Sequence, residues 1–404
     1  MPYLWDQHGQ AIIDGQALRS RSPHPFPLLG VGEGGGVRLI HGRIIALLHN
    51  PASRNWPGLA TIRAFDKRLK AMGKEKTKKQ AEHYVYGPVP SRRLGRSLGV
   101  DLVPLKTCTY DCIYCQLGRT PVKTIDRQPR NPGKRVIEQL ERKLSSLSSP
   151  PDYITLSGSG EPTLHSEIGW MIREIKTRTQ VPLAVLTNGS LLHLKDVRKA
   201  LLPADVVIPS FDAASAFLFS FINRPHDSLG FSQVLKGFKE FRQEYPGKIW
   251  LEVMLCGGIN DDEQAIERIR EEAVSLSPDK IQLNTVIRPP AEDFAYPLSK
   301  ENLAKAKKLF GERAEIIATE WPSRPSKVKG RLDEEILAML ERRPCSLEDI
   351  STAFGIPGEE ARVYLKDLID RSRIRFHTHN RMIFYTAPDR DHSRAWRKPK
   401  NAHL

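Results

Sequence analysis

Cysteine is scarce in this chain: 404 residues carry only five, and an odd count argues against a framework of disulfide bonds. The sequence has no run of eighteen apolar residues and no apolar signal segment near its first residue. We therefore expect neither a membrane-spanning helix nor a secretory signal peptide. The expected location is the cytoplasm, where thiols stay reduced, with no membrane partner.

Acidic residues are the minority among the charged side chains. Asp and Glu number 47 against 62 Lys and Arg, which gives a formal net charge of +15. Such an excess favours association with nucleic acid or another polyanion, although it does not by itself establish a partner.

Three of the five cysteines, Cys108, Cys112 and Cys115, follow one another with the spacing C-x3-C-x2-C. Three thiolates hold three irons of a [4Fe-4S] cluster, whereas clusters that only transfer electrons are held by four. The other two cysteines, Cys256 and Cys345, are far away in sequence. One iron is thus left open for an outside ligand, which indicates chemistry rather than electron storage.

A structural zinc site is the main alternative for these cysteines. Zinc usually takes four ligands in paired C-x2-C or Cys/His sets, and no second pair occurs here, with His83 and His165 remote from the run. A catalytic thiol would need a His or Asn partner that spacing alone cannot assign. The pattern therefore favours an iron–sulfur site over zinc.

Short apolar segments alternate with amphipathic ones between residue 98 and about residue 321. The predicted strands are 98–103, 153–156, 183–186, 206–210, 249–255 and 281–286. The predicted helices are 136–147, 168–175, 231–241, 263–276 and 302–310. Repeated strand-then-helix order predicts an α/β fold with a parallel sheet and right-handed crossovers.

The first 80 residues differ from the rest of the chain. They lack a periodic apolar face, contain a glycine cluster at 32–36, and offer only 41–48 as a short strand or helix. We expect residues 1–80 to be a poorly ordered arm or a spurious extension, with translation in the second case starting at Met72. The α/β core is assigned to residues 81–325.

Residues 328–388 predict a separate small α+β domain. Helices are expected over 334–342, 347–354 with Ser346 as N-cap, and 359–371, before a hairpin of 374–376 and 382–385. This order is that of a winged helix, whose third helix often enters a DNA groove. Mixed charges on that helix leave nucleic-acid contact and peptide or protein docking equally open, and a basic tail follows at 389–404.

Tyr114, just before the last cysteine, completes a pattern that resembles the signature of the radical S-adenosylmethionine (SAM) superfamily, C-x3-C-x-aromatic-C. The resemblance implies a [4Fe-4S] cluster whose open iron is chelated by SAM, with Tyr114 near the adenine. It implies a partial (β/α)6, TIM-like barrel with its chemistry at the carboxyl ends of the strands. It also implies reductive cleavage of SAM to a 5′-deoxyadenosyl radical that takes hydrogen from a substrate, and an electron donor such as flavodoxin or ferredoxin.

The segment after the second predicted strand, residues 157–163, resembles the G-G-E-P motif that contacts the SAM amino group in that superfamily. Ser159 stands where glycine is usual, followed by Gly160 and Glu161. Small residues let the backbone approach a ligand closely, and a carboxylate pairs with an ammonium group. Ser159, Gly160 and Glu161 are therefore predicted to bind SAM.

Later strand ends supply further predicted SAM contacts. By the resemblance, Asn188 binds ribose hydroxyls or other polar atoms, Ser210 reaches the SAM carboxylate, and Asp212 reaches the ribose or the substrate. The alternative to a SAM contact is an Asn-Gly turn for Asn188 and the N-cap of a helix for Asp212. Cys256 is interpreted as a buried core thiol rather than a ligand.

A closer resemblance covers about residues 84 to 320. Segments 86–99, 106–108, 115–118 and 221–225 are similar to a radical SAM family related to the wyosine-base tRNA-modification synthases. The substrate is left unknown, with a nucleic acid such as tRNA and a peptide or protein both open. Arg92, Arg93 and Arg96 are interpreted either as binders of an anionic substrate or as a solvated basic loop.

An iron–sulfur regulator that binds DNA through the C-terminal domain and senses redox state is the competing functional class. Such a regulator does not need six strands with ligand-like ends, so the enzyme is the favoured hypothesis.

Overall fold

The computed structural model describes residues 37–40, 43–46, 83–121, 123–317, 332–380 and 382–388, and the chain divides into two compact units, Met1–Glu82 and His83–Leu404. The first unit contains an antiparallel pair, β1 (Val37–Ile40) and β2 (Arg43–Ala46), where a single element over 41–48 was expected. The rest of 1–80 lies outside the described residues, so the expectation of a poorly ordered or spurious extension stays a prediction.

An eight-stranded sheet organises the second unit. Its strands are β3 (Val85–Ser91), β4 (Gly95–Val100), β5 (Tyr153–Leu156), β6 (Leu183–Thr187), β7 (Val206–Pro209), β8 (Lys248–Leu255), β9 (Lys280–Thr285) and β10 (Ala314–Ile316). They lie side by side in chain order, parallel from β4 to β10, with β3 antiparallel at one edge. The carboxyl ends of the parallel strands therefore meet on one side of the sheet.

The predicted α/β fold with a parallel sheet is confirmed, and all six predicted strands occur. Strand β4 ends at Val100 rather than at residue 103, so the cysteines follow a longer loop than expected. Strand β3 was missed because Gly87, Pro88 and Pro90 argue against a strand in sequence, although an edge position tolerates them.

Seven helices of the described core follow the strands. They are α1 (Gly133–Ser146), α2 (Ile168–Arg178), α3 (Lys195–Leu201), α4 (Ala216–Asn223), α5 (Phe231–Glu244), α6 (Glu263–Ser275) and α7 (Lys300–Phe310). Their apolar faces pack on the sheet, as Val136 and Leu140 of α1 do in the main core. None of the described helices is long and apolar enough to cross a membrane.

The C-terminal module contains three helices and a small antiparallel sheet of three strands. The elements are α8 (Leu332–Leu340), β11 (Cys345–Ser346), α9 (Leu347–Phe354), α10 (Gly358–Asp370), β12 (Arg375–His379) and β13 (Met382–Thr386). Ser346 caps α9 through a capping box with Asp349, as its sequence position predicted. The predicted boundary at 325–328 and the basic tail at 389–404 lie outside the described residues.

Arg342 joins this module to the sheet. Arg342 is 6% exposed, and its guanidinium donates to Asp101 Oδ2 at 2.7 Å and lies 4.3 Å from the centre of the Tyr86 ring. A further bond runs to the carbonyl of His83, and Val89 of β3 shares the buried core of the module. The module is therefore packed directly against the edge of the sheet.

Candidate active site

The cysteine loop, residues 106–118, is fixed by backbone hydrogen bonds to two other elements. Lys106 N donates to Ser159 O at 2.6 Å, and Glu161 N donates to Thr107 O at 3.0 Å. Ile113 N donates to the carbonyl of Ile222 in α4 at 2.9 Å. Since these bonds are between backbone atoms, the position of the loop is set by the fold and not by side-chain rotamers.

Each of the three sulfurs accepts a hydrogen bond from a nitrogen. Asn188 Nδ2 lies 3.5 Å from the Cys108 sulfur, Asn223 Nδ2 lies 3.6 Å from Cys112, and Lys106 Nζ lies 3.5 Å from Cys115. Hydrogen bonds to sulfur tune the reduction potential of an iron–sulfur cluster and favour the thiolate form. Lys106 belongs to the loop itself, whereas Asn188 follows β6 and Asn223 ends α4, so the fold brings two of the three donors to the loop.

Two of the thiols are hard to ionise without a metal. Burial raises the pKa of Cys108 to about 12, with the Glu161 charge as a second cause. Burial, followed by the Asp212 charge, raises the pKa of Cys112 well above its usual value. Both raised pKa values favour the protonated thiols in the apoprotein, and a bound cationic metal centre would favour the thiolates.

The arrangement fits a cluster better than a single ion. Within the part of the chain that the structure describes, no three Cys, His, Asp or Glu side chains converge closely enough to ligate one metal ion. Zinc requires such convergence, whereas a [4Fe-4S] cluster takes each thiolate on a different iron. Cys108, Cys112 and Cys115, each with a nitrogen donor on its sulfur, are the residues that would hold the cluster.

The turn after β5 depends on glycine at two positions. Gly158 has a φ of +113°, and a side chain there would meet the Asp101 carboxylate. A Cβ on Gly160 would lie 2.0 Å from the Thr107 carbonyl oxygen, which belongs to the backbone. Glycine thus allows the turn to lie directly against the cysteine loop.

Gly160→Ala is expected to destabilise the protein by about 3 kcal/mol and to lower the iron bound per chain, because the clash moves Thr107 and with it Cys108. Urea unfolding and iron analysis after reconstitution measure the two effects. Gly230→Ala is the matched control, since nothing lies within 4 Å of the added methyl. Normal iron binding by Gly160→Ala would contradict this account of the turn.

Glu161 is 2% exposed and lines a cavity beside the cysteine loop. Its Oε1 accepts from Thr163 N at 3.0 Å and from the hydroxyls of Thr163 and Thr187, each at 2.6 Å, while Oε2 accepts from Asn188 N at 2.7 Å. Burial still raises the pKa of this carboxyl. A cation beside it would offset that penalty, which fits the predicted contact with an ammonium group.

The side chains of Tyr114 and Asp212 are bonded to each other. The Tyr114 hydroxyl donates to Asp212 Oδ2 at 2.5 Å, Asn223 Nδ2 donates to the same oxygen at 2.8 Å, and Met254 N donates to Oδ1 at 3.0 Å. Burial raises the Asp212 pKa to about 6. Helix α4 is capped by Ser215, so Asp212 is not its N-cap.

The other predicted SAM contacts differ in their surroundings. Asn188 lines the cavity but donates to Thr109 Oγ1 at 2.7 Å, and Gly189 after it has a φ of +74°, so it also forms the Asn-Gly turn. Ser210 lines the cavity with Tyr114, Gly160 and Glu161. Ser159 and Asp212 are buried and are not among the residues that line the cavity. The SAM roles of all these residues stay predictions.

A cavity of about 370 Å³ brings Cys108 and Cys115 together with the ends of the strands. Its lining also contains residues for which we predicted no role from the sequence. Examples are Glu252 of β8, and Arg342 and Arg343 after α8. No sequence signal connected the C-terminal module with the strand ends. Of the three arginines predicted to bind an anion, Arg92 and Arg93 line the cavity. Arg96 lies at the surface, where it donates to the Ser149 hydroxyl and the carbonyl of Pro150.

Comparison with known proteins gives the family. The Radical SAM superfamily model matches residues 102–270. A Brachyspira hyodysenteriae protein named GTPase Obg is 37% identical over 320 residues, which is 78% of this chain and 46% of that protein, so the chain spans about half of its length. A UPF0026 protein of Methanocaldococcus jannaschii is 34% identical over 306 residues, 74% of this chain and 89% of that protein.

Among solved structures, a radical SAM methyltransferase from Sphaerobacter thermophilus matches with a TM-score of 0.44 and 16% identity, over 55% of this chain and 65% of that one. The superfamily match and the cysteine loop together imply a [4Fe-4S] cluster and SAM as cofactors. The chain is a radical SAM enzyme and belongs to the UPF0026 family.

Proposed function

We propose that the enzyme abstracts a hydrogen atom from a substrate bound in the 370 Å³ cavity, using SAM bound beside the cysteine loop. The observation that carries the proposal is the backbone junction between residues 106–107 and 159–161, which fixes the cysteines against Glu161. The same cavity reaches the ends of β6, β7, β8 and β9, where polar side chains meet.

When bound, the cluster and SAM supply one-electron cleavage to methionine and a 5′-deoxyadenosyl radical, which takes the hydrogen atom. The side chains of the protein bind SAM and orient it. Glu161 accepts the SAM ammonium group, and Ser210 and Asn188 face its polar atoms from the next strand ends. Tyr114, held through its hydroxyl by Asp212, presents its ring to the adenine.

We also propose that the sheet curves into a partial (β/α)6 barrel and that the C-terminal module is a winged helix. The sequential order of parallel strands supports the first interpretation, and the sequence of three helices and a hairpin supports the second. The location is proposed to be the cytoplasm, with flavodoxin or ferredoxin as electron donor. The distant relation to the wyosine-base synthases stays a prediction.

Production of 5′-deoxyadenosine tests this function. The full chain is reconstituted anaerobically with iron and sulfide, reduced with dithionite and given SAM, and 5′-deoxyadenosine is quantified by liquid chromatography. We expect the product only when the cluster, reductant and SAM are all present. A cluster-loaded, reduced protein that binds SAM but forms no 5′-deoxyadenosine would contradict the proposal.

A further inference from the structure

The cavity beside the cysteine loop is rich in arginine. Five arginines line it, against two carboxylates, Glu161 and Glu252. The five are Arg92, Arg93, Arg288, Arg342 and Arg343. They come from three separate parts of the chain, namely the turn between β3 and β4, the segment after β9 and the segment after α8.

Three carboxylates pair with members of this arginine cluster. Arg93 forms a bidentate pair with Glu252, at 2.6 and 3.0 Å, and Arg342 bonds Asp101 at 2.7 Å. Arg288 lies 3.7 Å from the carboxylate of Asp349. Of these three carboxylates, Glu252 belongs to the lining of the cavity, whereas Asp101 and Asp349 do not.

The surroundings of Arg343 favour its charged form. Burial lowers its pKa, but the nearby Cys345 and Asp349 outweigh burial and raise it. In the described part of the chain no carboxylate oxygen lies within 4.0 Å of its guanidinium, and Nη2 lies 4.0 Å from the Met339 sulfur. A charged arginine that lines the cavity with no carboxylate oxygen within 4.0 Å of its guanidinium has donors available for a ligand.

The cations of the arginine cluster also repel one another. The Arg92 pKa is lowered to about 9, first by burial and then by the charges of Arg288 and Arg93. Burial likewise lowers the pKa of Arg288. The Asp349 carboxylate opposes this shift, whereas the charges of Arg343 and Arg93 add to it. A bound anion would reverse both shifts, since an opposite charge favours the charged form of each arginine.

We infer that the arginine cluster binds a phosphate group of the substrate, which makes that substrate a phosphate ester. A carboxylate has two oxygens and is satisfied by one guanidinium fork, whereas a phosphate accepts from several forks at once. Arginines from three chain segments suit the second geometry. The reaction on this substrate rests on the proposed function, but the anion site rests on the lining of the cavity alone.

The inference also gives the C-terminal module a role at the active site. Arg342 and Arg343 follow α8 directly, and Arg342 is held by Asp101 at the start of the segment that leads to the cysteines. The module thus contributes side chains to the same cavity as Cys108 and Cys115.

Calorimetry on the full, cluster-loaded chain at pH 7.5 and constant ionic strength tests the inference. The probes are ribose 5-phosphate as a phosphate monoester, thymidylyl-thymidine as a phosphodiester, and acetate as a carboxylate. We expect a phosphate probe to bind and acetate not to bind. Preference for the monoester indicates a small phosphorylated substrate, and preference for the diester indicates a nucleic-acid backbone.

Arg343→Gln is expected to weaken binding of the preferred phosphate probe about tenfold, because a charge-assisted hydrogen bond is lost. The matched control is Arg96→Gln, next to the cluster in sequence but bonded at the surface, and it should change affinity by less than about twofold. If Arg343→Gln does not fold, judged by circular dichroism, Arg92→Gln provides the same test from another segment.

Three outcomes would overturn the inference. These are equal affinity for acetate and phosphate, unchanged phosphate affinity in both arginine variants, and a loss of SAM affinity as large as the loss of phosphate affinity. The last would assign the arginines to the SAM carboxylate. Phosphate binding that depends on Arg343, in a protein that forms no 5′-deoxyadenosine, would contradict the proposed function and leave the anion site standing.

Discussion

Cys112→Ala is expected to reduce 5′-deoxyadenosine formation to the level of the reaction without enzyme, and to lower bound iron sharply. A [4Fe-4S] cluster with three protein ligands has no spare thiolate, so the loss of one exposes a second iron and weakens the whole site. Cys112 also accepts a hydrogen bond from Asn223, which links the cysteine loop to the Asp212 and Tyr114 pair. Iron and sulfide analysis, visible absorbance and the product assay measure the loss.

Cys256→Ala is the matched control, because Cys256 is fully buried and lies next to the site, packed with Ile113, Val286 and Ala295. It should keep its cluster and its activity while losing about 1 kcal/mol or more of stability to the small void. The ligand assignment would be wrong if Cys112→Ala retained full activity, or if Cys256→Ala lost its cluster while still folded.

The cysteine loop and the strand ends were predictable because their chemistry depends on local spacing. Cys108, Cys112 and Cys115 stand within eight positions. Glu161 and Asn188 each follow an apolar segment that is typical of a strand, Asn188 directly and Glu161 after a short turn. The sequential sheet then brings those ends to one side. The sheet topology therefore brings residues that are distant in the sequence together in one site.

The arginine cluster was not predictable in the same way. Arg92 and Arg343 are separated by 250 positions and meet only because the C-terminal module packs on the edge strand β3, which the sequence did not reveal. Arg93 and Arg96 look equivalent in the sequence, but one faces Glu252 in the cavity and the other faces Ser149 at the surface. Contacts between segments that are distant in the sequence determine where each arginine lies, and the periodicity of apolar residues does not predict such contacts.

Arg342→Ala is expected to lower the free energy of unfolding by about 3–5 kcal/mol, the largest stability effect we predict. Its ion pair with Asp101 is buried on both sides, with side chains 6% and 8% exposed. Removing Arg342 takes away the ion-pair partner of the buried Asp101 carboxylate, together with the contact on the Tyr86 ring. Urea unfolding of the full chain measures the change.

Arg178→Ala is the control, because Arg178 pairs with Glu141 and Glu174 on the surface and should cost less than about 1 kcal/mol. In the double variant with Asp101→Asn, the cost should fall below the sum of the two single changes, since no lone charge is then buried. Asp101 also accepts from Ser159 N at 3.0 Å, so Arg342→Ala should reduce cluster loading as well as stability. Equal costs for Arg342→Ala and Arg178→Ala would mean that the module is not anchored through this pair.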